Sequence, residues 1–203
     1  VGTLLVNSPG SLAGTTVTVS NSATLGGSGT IGGPVAVLAG GNLAPGGING
    51  IGTFTLGSTV ALNGSTLFFD LTGSGTTGDA IAMAGALSLN GTNFVSLAFP
   101  DGSAPAGDYT LMTFPSYAGT GSFALIAPYP NTTLTLNGTS LVLHVGSGTT
   151  LHGLTWSGTV SSVWDGGAMN WNAGGSASGF TSGDSVLFDD SAASQYTVNS
   201  LGP

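Results

Sequence analysis

Apolar residues alternate with small or polar ones along most of this chain, in short runs. The clearest are TLLVN at 3–7, TTVTVS at 15–20, PVAVLA at 34–39, GTFTLG at 52–57 and STLFFDL at 65–71. ALSLNG at 86–91, FVSLAF at 94–99, YTLMTF at 109–114, TTLTLNG at 132–138 and SLVLHV at 140–145 continue the pattern. Alternation with period two predicts strands with one face buried. Gly-rich stretches such as GGSGTIGG and LAGGNLAPGG separate the runs and predict turns. The unit LNG(S/T) recurs at Leu62–Ser65, Leu89–Thr92 and Leu136–Thr139, each beside a strand-like run, as expected for Asn-Gly turns. No segment reads as a helix. The prediction is an all-β protein.

Two topologies suit such a pattern. A sandwich needs hairpins with strands of similar length. A β-solenoid needs weak repetition, small residues at tight corners and stacked layers. The first hundred residues favour the solenoid. ATLGGSGTIGG and GGNLAPGGINGIGTFTLG place small residues where coils would bend, and single Leu, Ile or Phe residues to point inward.

Composition strengthens the β reading. The chain has 203 residues, 37 of them Gly, with eight acids, all Asp, and no Lys or Arg. Flexible, helix-favouring polar side chains are almost missing, and Gly and β-branched residues cost helix stability. Hydrophobic content is 40%, too high for a disordered Gly/Ser linker. The net charge of −8 excludes ordinary nucleic-acid binding, because no side chain could neutralise phosphates. Attraction to anionic lipid is excluded on the same ground. No apolar run is long enough for a membrane-spanning helix, so no membrane insertion is expected. With no Cys, disulfides and thiolate metal sites are ruled out. No signal peptide is visible and the chain begins with Val1. A processed product, a fragment or a stretch of a longer protein is the expectation. Trypsin has no site to cut, which suits an exposed extracellular material or follows equally from compositional drift in a low-complexity repeat family.

Ordered motifs carry a resemblance. GTLLVN at 2–7 is followed by LGGSGTIGG at 25–33 and GGNLAPGGINGIGT at 40–53. Further on, LTWSGTVSSVWDGGAMNWN at 154–172 precedes FTSGDSVLFDDSA at 180–192. In this order the chain resembles the autotransporter-associated β-strand (passenger-associated) repeat surface proteins. The resemblance implies a right-handed parallel β-helix, exported to the bacterial surface or secreted, and it implies no single activity. The expected organisation is a solenoid over 1–100, an irregular β segment over 101–150 that closes or extends it, and a small Trp-containing β unit over 151–203. The Trp-rich segment resembles the opening of a module, whereas 2–145 resembles the latter part of one. Such a chain is either a fragment or a subunit whose tail completes a neighbour by β-strand or rung addition. The candidate joint is Gly2, Thr3, Leu4, Leu5 and Val6 at one end, with Tyr196, Thr197 and Val198 at the other.

Candidate chemistry is thin. Trp156, Trp164 and Trp171 form either a local core with Phe180 and Phe188 or a surface for stacking glycans; the core reading is preferred, because Trp buries much apolar area. Asp165, Asp184, Asp189 and Asp190 could offer oxygens to Ca²⁺, but no EF-hand loop or repeated Gly-Gly-x-Gly-x-Asp pattern is present, so solvated turns are expected. Asp70, Asp79, Asp101 and Asp108 are scattered, where glycoside hydrolysis needs two facing acids. His144 and His152 are the other available bases, and His144 sits at an outward position of its strand. No nucleophile-elbow motif is convincing. No enzyme activity, cofactor or metal is expected. Thr16/Thr18, Thr53/Thr55 and Thr133/Thr135 are too irregularly spaced for a flat Thr ladder. Sequons at Asn63, Asn90, Asn131 and Asn137 could take glycans in a suitable host. The expected function is that of an extracellular structural protein: a surface-fibre subunit or adhesin-like passenger, joined head to tail to other copies of itself or to neighbouring repeats of a longer chain. The alternative is a carbohydrate-binding surface module that uses exposed tryptophans.

Overall fold

In the computed structural model, residues 2–47, 50–127, 129–164, 167–181, 184–189, 191–192 and 197–200 are described. They form β-strands and, among the described residues, no helix. Most strands belong to three sheets. Sheet one runs β1 (Gly2–Leu5), β4 (Ala23–Gly27), β7 (Asn42–Pro45), β10 (Thr66–Asp70), β13 (Thr92–Ala98) and β16 (Ser122–Leu125). Sheet three runs β3 (Val17–Val19), β6 (Val35–Val37), β9 (Val60–Asn63), β12 (Leu87–Asn90) and β15 (Tyr117–Ala118). Sheet two begins with β2 (Ser11–Leu12), β5 (Thr30–Ile31), β8 (Thr53–Leu56), β11 (Ala80–Met83) and β14 (Ser103–Thr113). Every neighbouring pair named so far is parallel. Strand neighbours are three apart in sequence order, so the chain visits each sheet once before returning to the first.

Register explains why alternation carries this architecture. In sheet one, Leu4, Leu25, Leu43, Leu67, Val95 and Leu125 stand side by side in one row. In sheet three, Val19, Val37, Leu62 and Leu89 form another row, and Leu12, Ile31, Leu56 and Met83 line up in sheet two. The middle members of all three rows are buried in one core cluster. Each parallel neighbour therefore repeats the inward phase of the one before it, and a one-residue slip would turn a whole row outward.

Some stretches read as turns are strands. ATLGG is β4, and NLAP is β7. Gly26 is there for closeness, because a Cβ on it would lie 2.1 Å from the Ala44 carbonyl oxygen. The Asn-Gly units do turn the chain. Gly64 and Gly91, at φ of 64° and 62°, follow the register-paired Asn63 and Asn90. Beside them Asn93, fully buried, accepts from the Ser65 backbone N–H and hydroxyl at 3.0 and 2.8 Å, and donates to the Asn90 carbonyl.

Beyond β16 the pattern changes. β17 (Thr132–Leu136) and β18 (Ser140–Trp156) form an antiparallel hairpin, closed by the Asn137 N–H to the Ser140 carbonyl. β18 also pairs antiparallel with β14, extending sheet two. It then runs on to pair with β20 (Trp171–Ala173) and with β22 (Ser185–Leu187), and β20 pairs with β21 (Ser176–Ser178). A separate pair joins β19 (Val163–Trp164) to β23 (Asn199–Ser200). This last region has its own small core, distinct from the main one.

Candidate functional site

Among the described residues, β1 is paired only with β4, β2 only with β5 and β3 only with β6, so each is an edge strand of its sheet. All four residues of β1 are exposed, with Leu4 and Leu5 at 46% and 43%. Leu4 heads the inward row of sheet one, where its successors Leu25 and Leu43 are fully buried. Val6 is already covered, and its N–H reaches the Gly26 carbonyl at 2.9 Å. A depression at this end is lined by Thr3, Leu4, Val17, Val19 and Leu25. At the far end, β16 and β15 are the edge strands of their sheets. Ile126, just past β16, is 55% exposed.

The other half of the expected joint is described only in part. Tyr196 lies outside the described residues. Thr197 is exposed, while Val198 packs against the Trp core of its own chain and β23 pairs with β19. Within the chain β1 pairs with β4 and β23 with β19.

The three tryptophans gather into one cluster. Trp156 and Trp171 meet edge to face at 5.0 Å, and Trp164 meets Trp171 at 5.3 Å. Phe180 lies 5.2 Å from Trp164, and Phe188 lies 5.6 Å from Trp171. Trp156 and Trp171 are buried, Trp164 is half-buried, and Phe188 is exposed on the rim. Asn170 ties the surrounding loop together. Its Oδ1 accepts from the Val160 and Ser161 N–H groups at 3.0 and 2.8 Å, and its Nδ2 donates to the Ser161 hydroxyl and the Val163 carbonyl. No ring face of Trp156 or Trp171 is open to a sugar.

The carboxylates fall into separate settings. Asp79 is buried; Oδ1 accepts from Gly52 N–H at 2.7 Å and Oδ2 from Asp70 N–H at 2.9 Å. Burial pushes its pKa up to about 7, the two backbone bonds oppose the rise, and the Asp70 charge adds to it. Asp108 is bonded to His144 across β14 and β18. Asp184 accepts from Thr181 N–H and meets Nδ1 of His152 at 3.0 Å. Ser103 stands opposite His152 in the β14–β18 register, but no serine or threonine hydroxyl bonds either imidazole among the described residues. Asp189 holds the Ser191 hydroxyl and N–H, which keep its pKa below the usual carboxylate range, and Asp101 is exposed. Asp165 and Asp190 lie outside the described residues. Among the described residues no three acid or histidine side chains converge as a metal site. The Thr pairs are spread over different sheets, with Thr18 in sheet three, Thr53 and Thr55 on β8, and Thr133 and Thr135 on β17. The sequon asparagines Asn63, Asn90, Asn131 and Asn137 are all exposed.

Sequence reasoning missed two side chains. Phe68 and Phe94 stand exposed on the outer face of sheet one. The signal was the consecutive pair Phe68-Phe69, since alternation lets only one of two neighbours face inward.

Compared with models of known protein families and with curated proteins, the chain matches none.

Proposed function

We propose that this chain is a right-handed β-solenoid segment of an exported or surface-displayed bacterial structural protein, with an open first layer that accepts a further layer. Strands that recur every third element in three sheets support the solenoid. Parallel crossovers are right-handed in about 98% of cases, which supports the hand. The motif order seen in the sequence supports kinship with the autotransporter-associated repeat proteins. The occupant of the open layer is another copy of the chain, head to tail, or a neighbouring repeat of a longer chain. The role is mechanical or adhesive, and we assign it no catalysis.

The observation behind this reading is β1, paired on one side and exposed at every residue, Leu4 and Leu5 included. Such an edge offers backbone N–H and C=O groups to a further strand, and lysine or proline would normally blunt it. This chain has no Lys at all. Glycan binding by the tryptophans has less behind it, because two of the three rings are buried.

Sedimentation velocity across a dilution series tests the reading. The wild-type chain should form larger species as concentration rises, and Leu4→Lys should hold it as a monomer. A wild-type chain that stays monomeric at every concentration would leave only the neighbouring-repeat form of the proposal. If Leu4→Lys assembles as the wild type does, the open layer is not the joint.

A further inference from the structure

The outer face of sheet one carries a feature that end-to-end assembly does not use. Opposite in phase to the inward row stand Thr24, Asn42, Thr66 and Phe94, aligned in register across β4, β7, β10 and β13. Phe68 is paired with Ser96 and is a diagonal neighbour of Phe94 on the same face. The register of β7 with β10 covers only Thr66 and Leu67; past it the strands part. There a groove of about 240 Å³ opens, bordered by Thr24, Asn42, Ala44, Phe68, Asp70 and Ser96. Phe68 and Phe94 are each 41% exposed, and Asp70 is 6% exposed.

We propose that this groove binds a neutral oligosaccharide, with Phe68 as the stacking platform and Asp70, Asn42 and Ser96 as partners for hydroxyl groups. A concave site with an apolar wall and a few polar groups is the usual form of a small-ligand pocket. The apolar face of a pyranose ring matches an exposed phenyl ring. Its equatorial hydroxyls match carboxylate, amide and hydroxyl side chains. An anionic sugar does not fit, because Asp70 borders the groove and the chain holds no Lys or Arg to offset a second negative charge. The site lies on the flank of the stack, so binding here is independent of assembly at the ends.

The test is an aromatic ¹H–¹³C NMR titration of the full chain, dilute enough to be monomeric. The probes are laminarihexaose, cellohexaose and mannohexaose, with trigalacturonate as the anionic contrast. At least one neutral hexasaccharide should shift the Phe68 and Phe94 ring signals, and trigalacturonate should not. Phe68→Ala should weaken that binding about tenfold and leave the Trp signals unchanged. Phe94→Ala serves as the second variant if Phe68→Ala loses its fold, with a weakening in the same direction. No shift with any of the three neutral probes would overturn the proposal. So would shifts confined to the Trp rings, or equal affinity in a folded Phe68→Ala chain. A concentration-dependent shift of Phe68 without sugar would assign the groove to a second copy and overturn it as well.

Discussion

Asp79 is the residue whose chemistry is most constrained by the fold. Its carboxylate bridges the backbones of Gly52 and Asp70, and burial raises its pKa from 3.8 to about 7 in the folded state. The folded chain therefore holds that proton more tightly than the unfolded chain does. Between pH 4 and pH 7 the unfolded group is ionised while the folded one is still protonated, so this group lowers stability steadily as pH rises. Below that window both states are protonated, and above it both are ionised. Chemical denaturation at pH 5 and pH 8 should show the lower midpoint at pH 8, and Asp79→Asn should reduce the difference. A midpoint that rises with pH and is unchanged in slope by Asp79→Asn would contradict this. Asn170 is constrained by packing rather than charge. Asn170→Ala leaves the Val160 and Ser161 N–H groups and the Val163 carbonyl without their partner, and should cost about 2–3 kcal/mol in a urea melt followed by Trp fluorescence. Neither role was legible in the sequence. Asp79 in TTGDAI and Asn170 in AMNWN have no local signature, since their partners stand between 7 and 27 residues away in sequence.

At the level of elements, alternation was a good guide wherever inward residues are large. VAV, TFTL, TLFFD and LSLN became β6, β8, β10 and β12, and the tryptophan-rich stretch became a unit with its own core. It was a poor guide where the strand holds Gly or Pro. β4 and β7 look like turns because ATLGG and NLAP have small residues at the places where one layer lies closest to the next. The extension of β14 back through Pro105, and of β18 through GSGTT, was hidden for a similar reason. Gly-rich and Pro-containing sequence lacks strand propensity, and pairing with a long neighbour imposes it. The closeness of β4 and β7 gives a direct prediction. Gly26→Ala places a methyl against the Ala44 carbonyl and should destabilise the stack by about 2–3 kcal/mol, measured as the shift in guanidinium midpoint. A neutral result would mean that β4 and β7 are not paired in this register.

The whole molecule divides into a parallel stack and a smaller tryptophan core, linked by the long strand β18. With no Lys or Arg, the only carboxylate–imidazole contacts among the described residues are His144–Asp108 and His152–Asp184. Stability must then come from apolar rows and backbone ladders, and salt, by screening the uncompensated like charges, should raise it slightly. Burial of Trp156 and Trp171 predicts blue-shifted emission that acrylamide quenches weakly, with the remaining quenchable fraction belonging to Trp164. Emission like that of free indole would dissolve the second core. The all-β structure was legible from alternation and composition, whereas the antiparallel hairpin after β16 was not, because TTLTLNGTSLVLHV reads the same in a parallel or an antiparallel pairing. Motif order already pointed to Gly2–Val6 as one side of a joint, and the sheets add that β1, among the described residues, is paired on one side only. The most direct measurement is electron microscopy with fibre diffraction on concentrated wild-type chain. Filaments with strands perpendicular to the long axis and a meridional spacing of about 4.8 Å are the predicted result. Discrete particles at every concentration would contradict head-to-tail assembly through β1.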